Sequence, residues 1–291
     1  LPVTEIAQQV VNGLMTGSIY AVVALGLTMI FGLLGILNFA QGQLLMLAAF
    51  AVYLLSNLGL NFPLALAAAV LIIAGLAMAL ERVVFRPVEG MEISGLIVSL
   101  GLIGIIENVT LAVFGADFRS LPVSFPGAFT LGGIVLIRQR LFIFLVCLAI
   151  VVALFAFLRL GKWGVAMRAT LQNRDAAALV GIPARRVVSL TFAISGALAA
   201  VAGGLMGTVF PVQPDMGNDV LLKGFIAVIL GGAGSPIGAV LGAAILGVTE
   251  AIGGGYTSGT YQDVFGLAML ILILLVRPRG LLPDRQVERA G

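Results

Sequence analysis

Chemistry in this chain has to come from a short roster of polar residues set among apolar ones. Glu107, followed by Asn108, stands in the middle of the apolar run Leu96 to Phe114. A carboxylate at that depth in hydrocarbon costs about 2.5–3.5 kcal/mol even on the gentler insertion scales, so it requires a partner or water. Asn108 or one of the few basic residues is available as that partner. Two readings stay open: Glu107 lines or gates a path, or it is a packed and protonated structural contact. Asn38, Gln41 and Gln43 form a second polar group, flanked by Gly32, Gly35 and Gly42. Such a segment can end one half-helix, begin another and offer free backbone groups to a passing solute. The plainer reading is that its amides hydrogen-bond neighbouring helices. Hydrolytic and metal chemistry have little footing. The chain has no His and a single cysteine, Cys147, within an apolar run, and its carboxylates do not cluster. It has no Gly-x-x-x-x-Gly-Lys-Ser/Thr string either, so it lacks a cradle for nucleotide phosphates.

The elements that must position these residues are membrane helices. Of 291 residues, 60% are hydrophobic and only 10% charged, where a soluble domain has about 25% charged residues. Runs long enough for a hydrocarbon core of about 30 Å are Val10 to Phe31, Phe62 to Val84, Leu96 to Phe114, Leu141 to Leu158, Val188 to Phe210 and Tyr261 to Val276. Ile36 to Leu55 and Phe225 to Ile252 are apolar but carry Gly, Pro and amides, which marks them as broken helices. The expected fold is all-α, one polytopic membrane domain over residues 1–291. It has about eight or nine crossings, the number depending on whether Phe225 to Ile252 is one bent pass or two short ones. Glu250 and Asp263 fall near helix ends and are expected to reach interfacial water, with Tyr256, Tyr261 and Gly253 to Gly255 forming an outer turn. Gly231 to Pro236 occupies a position comparable to the Gln41 segment, a faint hint of a repeat relating Gly42 to Gly234.

Charge sets the expected orientation. Arg82, Arg86, Arg159, Lys162, Arg168, Arg174, Arg185, Arg186, Arg277, Arg279, Arg285 and Arg289, twelve of the sixteen Lys and Arg, share one side if the N-terminus is outside. The positive-inside rule makes that side cytoplasmic. Arg138 and Arg140 break the rule, so Leu121 to Ile137 is expected to hold a re-entrant piece. Leu1 to Gln9 has no basic n-region or small-residue cleavage site and does not read as a cleaved signal peptide. Within the cytoplasmic loop at about 159–187, a short amphipathic helix is expected around Asn173 to Val180. Asn173 would cap it, Asp175 would suit its first turn, Gly181 would close it and Pro183 would forbid continuation.

The string Asp175-Ala176-Ala177-x-x-x-Gly181 resembles the EAA loop by which ABC-importer permeases dock on ATPase subunits, with Asp where that family usually has Glu. Further strings resemble the LivH-type permeases of branched-chain amino-acid ABC importers. They are Asn12-Gly13-x-x-x-Gly17-Ser18-x-Tyr20-Ala21-x-x-Ala24-x-Gly26 with Ile36-Leu37-Asn38-Phe39-Ala40-Gln41-Gly42, then Leu100-Gly101-Leu102 with Glu107-Asn108. Two more follow: Gly231-Gly232-x-Gly234-Ser235-x-x-Gly238-Ala239-x-x-Gly242 and Arg277-Pro278-x-Gly280-Leu281.

The resemblance implies a pore-forming, non-enzymatic subunit in a bacterial inner membrane, with the N-terminus outside and the tail 277–291 cytoplasmic. It implies as partners two ATP-binding subunits, a second homologous permease or a second copy of this chain, and an extracytoplasmic binding protein. Nucleic acid is not expected. No cofactor is expected in this subunit, since ATP and Mg would serve the partner subunits. Arg174, Asp175, Ala176, Ala177 and Gly181 are the expected coupling residues. Asn38, Gln41, Gln43, Glu107, Asn108, Gly232, Gly234 and Ser235 are the expected pathway residues. Branched-chain or other hydrophobic amino acids are the expected substrates; urea, short amides and aromatic carboxylates are the alternatives. A stand-alone secondary transporter with Glu107 as its ion site is a competing class, although it would need no docking helix.

Overall fold

The computed structural model describes residues 3–35, 37–121, 125–257, 259–278 and 280–282. Arg279, Arg285 and Arg289 of the tail, and Ile36 of the second apolar segment, lie outside the described residues.

Among the described residues, eleven α-helices follow one another: α1 Val3–Leu34, α2 Gln41–Asn57, α3 Phe62–Leu80, α4 Glu92–Phe114, α5 Arg138–Leu160, α6 Lys162–Gln172, α7 Arg174–Leu179, α8 Ala184–Met206, α9 Met216–Gly231, α10 Pro236–Tyr256 and α11 Gln262–Val276. Six of the described helices (α1, α3, α4, α5, α8 and α10) are long and apolar enough to cross a bilayer. The apolar helices α2, α9 and α11 have 17, 16 and 15 residues, short of the ~20 a full crossing needs. The expected all-α membrane fold is therefore observed, with full crossings and shorter helices mixed. The ambiguous stretch Phe225 to Ile252 resolves into two helices, because Gly232 and Gly234 adopt positive φ and Pro236 opens α10.

The centre of the bundle is α1, packed along its length on α10 and also on α8, α9 and α5. Small residues permit the closest contacts. A side chain added at Gly13 or Gly17 would strike the backbone of α10 at Ala243 to Val248. By contrast α4 is mostly exposed, with Ile93, Ile97, Ile105 and Val109 each more than half open.

Two expectations fail here. No helix enters the membrane between Ala128 and Ile137; the segment is a two-stranded antiparallel hairpin, β1 Ala128–Leu131 and β2 Ile134–Ile137. Gly132 and Gly133, both at positive φ, make its turn. The hairpin docks on the first turns of α1, where Gln8 Nε2 donates to Val135 O at 2.9 Å and Val135 N donates to Gln8 Oε1 at 2.7 Å. Arg138 then begins α5. The triplet Gly253 to Gly255 is likewise no turn but the last turn of α10, where Gly253 and Gly255 leave room for Phe265 and Gln9.

The two short helices α2 and α9 meet near their N-termini. Gly42 and Gly217 face one another so closely that a Cβ on either would overlap the other's backbone. Gly42→Val and Gly217→Val are therefore each expected to destabilise by at least the ~1–3 kcal/mol of an overpacked core, read as a lower melting temperature of the purified protein in detergent. Gly101→Val, at an open position on α4, is expected to leave that temperature unchanged.

Candidate functional site

The broken segment is built from Asn38 onward. Asn38 is buried and its Oδ1 accepts from Ala40 N at 3.1 Å, turning the chain into the start of α2 at Gln41. Gln41 and Gln43 are fully buried on the first turn of α2 but serve different neighbours. Gln41 Nε2 donates to the Ser195 carbonyl on α8 at 3.0 Å, and Ser195 Oγ reaches Gln41 Oε1 at 2.8 Å and Gly26 O of α1 at 2.9 Å. This knot of buried groups ties the first turn of α2 to α1 and α8, where an unpaired amide would be costly.

Gln43 begins a line of amides leading to the intramembrane acid. Its Nε2 donates to Asn218 Oδ1 at 2.9 Å, and Asn218 Nδ2 donates to Glu107 Oε2 at 3.0 Å. Asn218 thus presents its NH2 to the Glu107 carboxyl group and its carbonyl to Gln43. Gln43 Oε1 is then left buried with no partner. Glu107 has no cation within ion-pair distance among the described residues. The partner anticipated for it, Asn108, faces outward and donates to its own helix at Gly104 O, 2.8 Å away. Asn218, on the first turn of α9, takes that place because the Gly42–Gly217 contact sets the two half-helices side by side.

The remaining expected pathway residues sit elsewhere. Gly232, Gly234 and Ser235 form the turn between α9 and α10, where Ser235 Oγ accepts from Gly238 N at 3.2 Å as an N-cap. Gly234 borders a cleft that also includes Arg159 and Arg168, at the end of the bundle where the basic residues gather. What meets Gly42 and Gln43 in space is Gly217 and Asn218.

The expected docking helix is present as α7. Asn173 Oδ1 accepts from Ala176 N at 2.9 Å, and Gly181 closes the helix at φ +85°, a conformation that a side chain would strain. Ala177 is buried against the protein; Ala176 and Ala178 are exposed, and Leu179 and Val180 stand almost free at 89% and 78% exposure. The side chain of Asp175 lies outside the described structure. Arg174 pairs with Glu89, three residues beyond Arg86, which holds buried Glu81 with two parallel contacts of 3.0 Å. Ser189 Oγ on α8 completes that group by donating to Glu81 Oε2 at 2.6 Å.

A charge cluster missed by the sequence reading lies among α1, α9, α10 and α11. Glu250 is not at interfacial water: it is 1% exposed and bound by Lys223 Nζ at 2.8 Å and Tyr20 OH at 3.1 Å. Lys223 also reaches Asp263, which is exposed as expected, at 2.6 Å. The missed signal was Lys223 itself, a lone cation inside the apolar stretch Val220 to Leu230.

Two short apolar helices thus meet by their N-terminal turns over a polar centre, within a bundle of membrane-length helices, and the chain's class is that of a transport permease. The chain belongs to the family described as branched-chain amino acid transport system / permease component, whose model matches residues 9–274. It is 36% identical to the high-affinity branched-chain amino acid transport system permease protein BraD of Pseudomonas aeruginosa, over 97% of each chain. It is 35% identical to the corresponding permease protein LivH of Escherichia coli K12, again over 97% of each. Among solved structures, a chain of PsaBC from Streptococcus pneumoniae in complex with Fab shares the fold, with a TM-score of 0.50 and 15% identity over 96% of this chain and 94% of that one.

Removing one member of a buried ion pair leaves the other charge uncompensated, at about 3–5 kcal/mol. Lys223→Met is accordingly expected to lower stability by that order, measured by thermal unfolding in detergent. Lys223→Met combined with Glu250→Gln should recover part of the loss.

Proposed function

We propose that this chain is the permease subunit of an ABC importer that moves branched-chain or other hydrophobic amino acids across a bacterial inner membrane by ATP-driven alternating access. The named relatives point to the substrate class, and α7 carries the mechanism. An ordered, capped helix that turns Leu179 and Val180 outward from the basic end has no task in a carrier that works alone, but it fits a groove on an ATPase subunit. Arg174 and Glu89 join α7 to the segment following α3, and Arg86, Glu81 and Ser189 join that segment to α8. A push on α7 thus has a hydrogen-bonded and ion-paired route to a helix that touches Gln41.

The translocation path, in this reading, runs past Glu107, Asn218 and Gln43. Glu107 lies on the sparsely packed helix α4, half-buried, with Oε2 held by an amide and no cation beside it among the described residues. Such a carboxylate belongs beside water or beside a second protein. A second permease, homologous or identical, would cover α4 and enclose the path between the two chains. ATP and Mg act in the two partner ATPases, and an extracytoplasmic binding protein delivers the substrate. The N-terminus is outside and the tail cytoplasmic, since the basic residues at the ends of α3, α5 and α11 and the start of α8 then obey the positive-inside rule.

Two experiments test this. Tagged parent protein purified gently from membranes is expected to bring ATP-binding subunits with it, and Leu179→Asp should reduce their recovery about tenfold or more, as loss of an apolar interface anchor does. Because Leu179 touches so little of its own chain, the variant should fold normally; full recovery of the ATPases with it would sink the docking reading. In proteoliposomes holding the whole complex, Glu107→Gln is expected to cut uptake of leucine at least tenfold while ATPase subunits remain bound, and Glu107→Asp should restore part of it. Unchanged uptake would remove Glu107 from the path.

A further inference from the structure

The basic end of the bundle holds a feature that neither the docking helix nor the polar centre uses. A cleft of about 460 Å³ lies among α1, α5, α6, α8 and α10, and a second hollow of about 300 Å³ adjoins it along α5 and α10. The two share Phe155, Arg159 and Ile237 and so form one continuous groove. Its inner end is polar, with Arg159, Arg168 and Gln172; its outer end is Phe155, Ile237, Val240 and Leu241.

Charge decides what fits. Arg159 and Arg168 both line the cleft, and Arg168 Nη2 donates to the Arg159 backbone carbonyl at 3.4 Å, which holds the Arg168 side chain at that rim. No acidic residue lines either hollow, and neither arginine forms an ion pair among the described residues. Two cationic side chains lining one cleft give it a positive potential that favours an anion. Arginine's fork of donors matches phosphate oxygens.

Depth decides the rest. Arg159 is the penultimate residue of the membrane-crossing helix α5, and Pro236 to Leu241 are the first residues of α10. The cationic rim therefore lies where a headgroup lies. The apolar limb beside it opens outward, since Ile237 and Leu241 are 48% and 45% exposed.

We infer that this groove is a binding site for an anionic phospholipid of the adjoining leaflet, with its headgroup phosphate between Arg159 and Arg168 and an acyl chain along Phe155, Ile237, Val240 and Leu241. The site also touches α6, which leads directly into α7, so an occupied groove braces the root of the docking helix. This inference rests on the groove alone and stands whether or not the substrate proposed above is correct.

Native mass spectrometry of the purified protein, offered phosphatidylglycerol and phosphatidylcholine of equal chain length, tests it. The parent is expected to retain the anionic lipid preferentially, and Arg159→Gln with Arg168→Gln should lower that preference about 10- to 30-fold, as loss of two interfacial cations implies. Arg185→Gln, an exposed cation outside the groove, should change nothing. Ile237→Trp, which fills the apolar limb, should reduce retention of phosphatidylglycerol with both arginines intact. Equal retention of the two lipids by the parent would overturn the assignment, as would undiminished preference in the double arginine variant. If Ile237→Trp retains the lipid as well as the parent does, the acyl chain does not lie in the groove and the lipid site is refuted in favour of a bare anion or an acidic protein segment at the arginines.

Discussion

Backbone polar groups at membrane depth find no water to bond, so a helix that starts inside the bilayer has to satisfy its first turn from within the protein. Two helices in this chain do so at one place. The opening turns of α2 and α9 come together at Gly42 and Gly217, in a contact that tolerates no side chain on either. Around that contact the polar residues of the membrane interior are disposed: Asn38 turns the chain into α2, Gln41 fastens it to α8 and α1, and Gln43 joins it to α9 and onward to Glu107. If the backbones could not approach there, Asn218 would not reach Gln43 and Glu107 would lose its donor.

Three interior acids show three treatments of charge. Glu81 has a bidentate arginine and a serine hydroxyl. Glu250 has a lysine and a tyrosine, and the lysine extends to Asp263. These two clusters are closed and serve to fasten helices, since a paired buried charge resists separation. Among the described residues Glu107 has only an amide as its partner, on a helix whose other residues largely face outward. The difference in treatment is the observation on which the proposed pathway role of Glu107 rests.

The two ends of the molecule follow the same division between closed and open. At one end a hairpin is clamped to α1 through Gln8. The basic end presents α7, with its exposed leucine and valine, beside a groove lined by Arg159 and Arg168. A membrane subunit that takes instructions from water-borne partners needs such an end, and the apolar helices supply only its foundation.

Much of this was legible in the residues. Hydropathy determined the membrane fold and most of the crossings, because burying about twenty apolar residues in lipid is a local property of the segment. Asn173, Gly181 and Pro183 determined α7, because caps and stops act within a few residues. The glycine-rich strings named the family. Tertiary structure alone decided the partners of the charges. Glu250 read as interfacial from its place near a helix end, yet Lys223, 27 positions away, and Tyr20, 230 positions away, enclose it. Asn108 read as the neighbour of Glu107, but adjacent residues on a helix point about 100° apart, and the donor came from Asn218 on another helix. The run before Arg138 read as re-entrant because Arg138 and Arg140 break the positive-inside rule, and only strand pairing across Gly132 and Gly133 reveals a hairpin there. Composition and short-range order were set by the chain itself, whereas the polar centre was set by which helices lie side by side, and that depends on packing between distant segments.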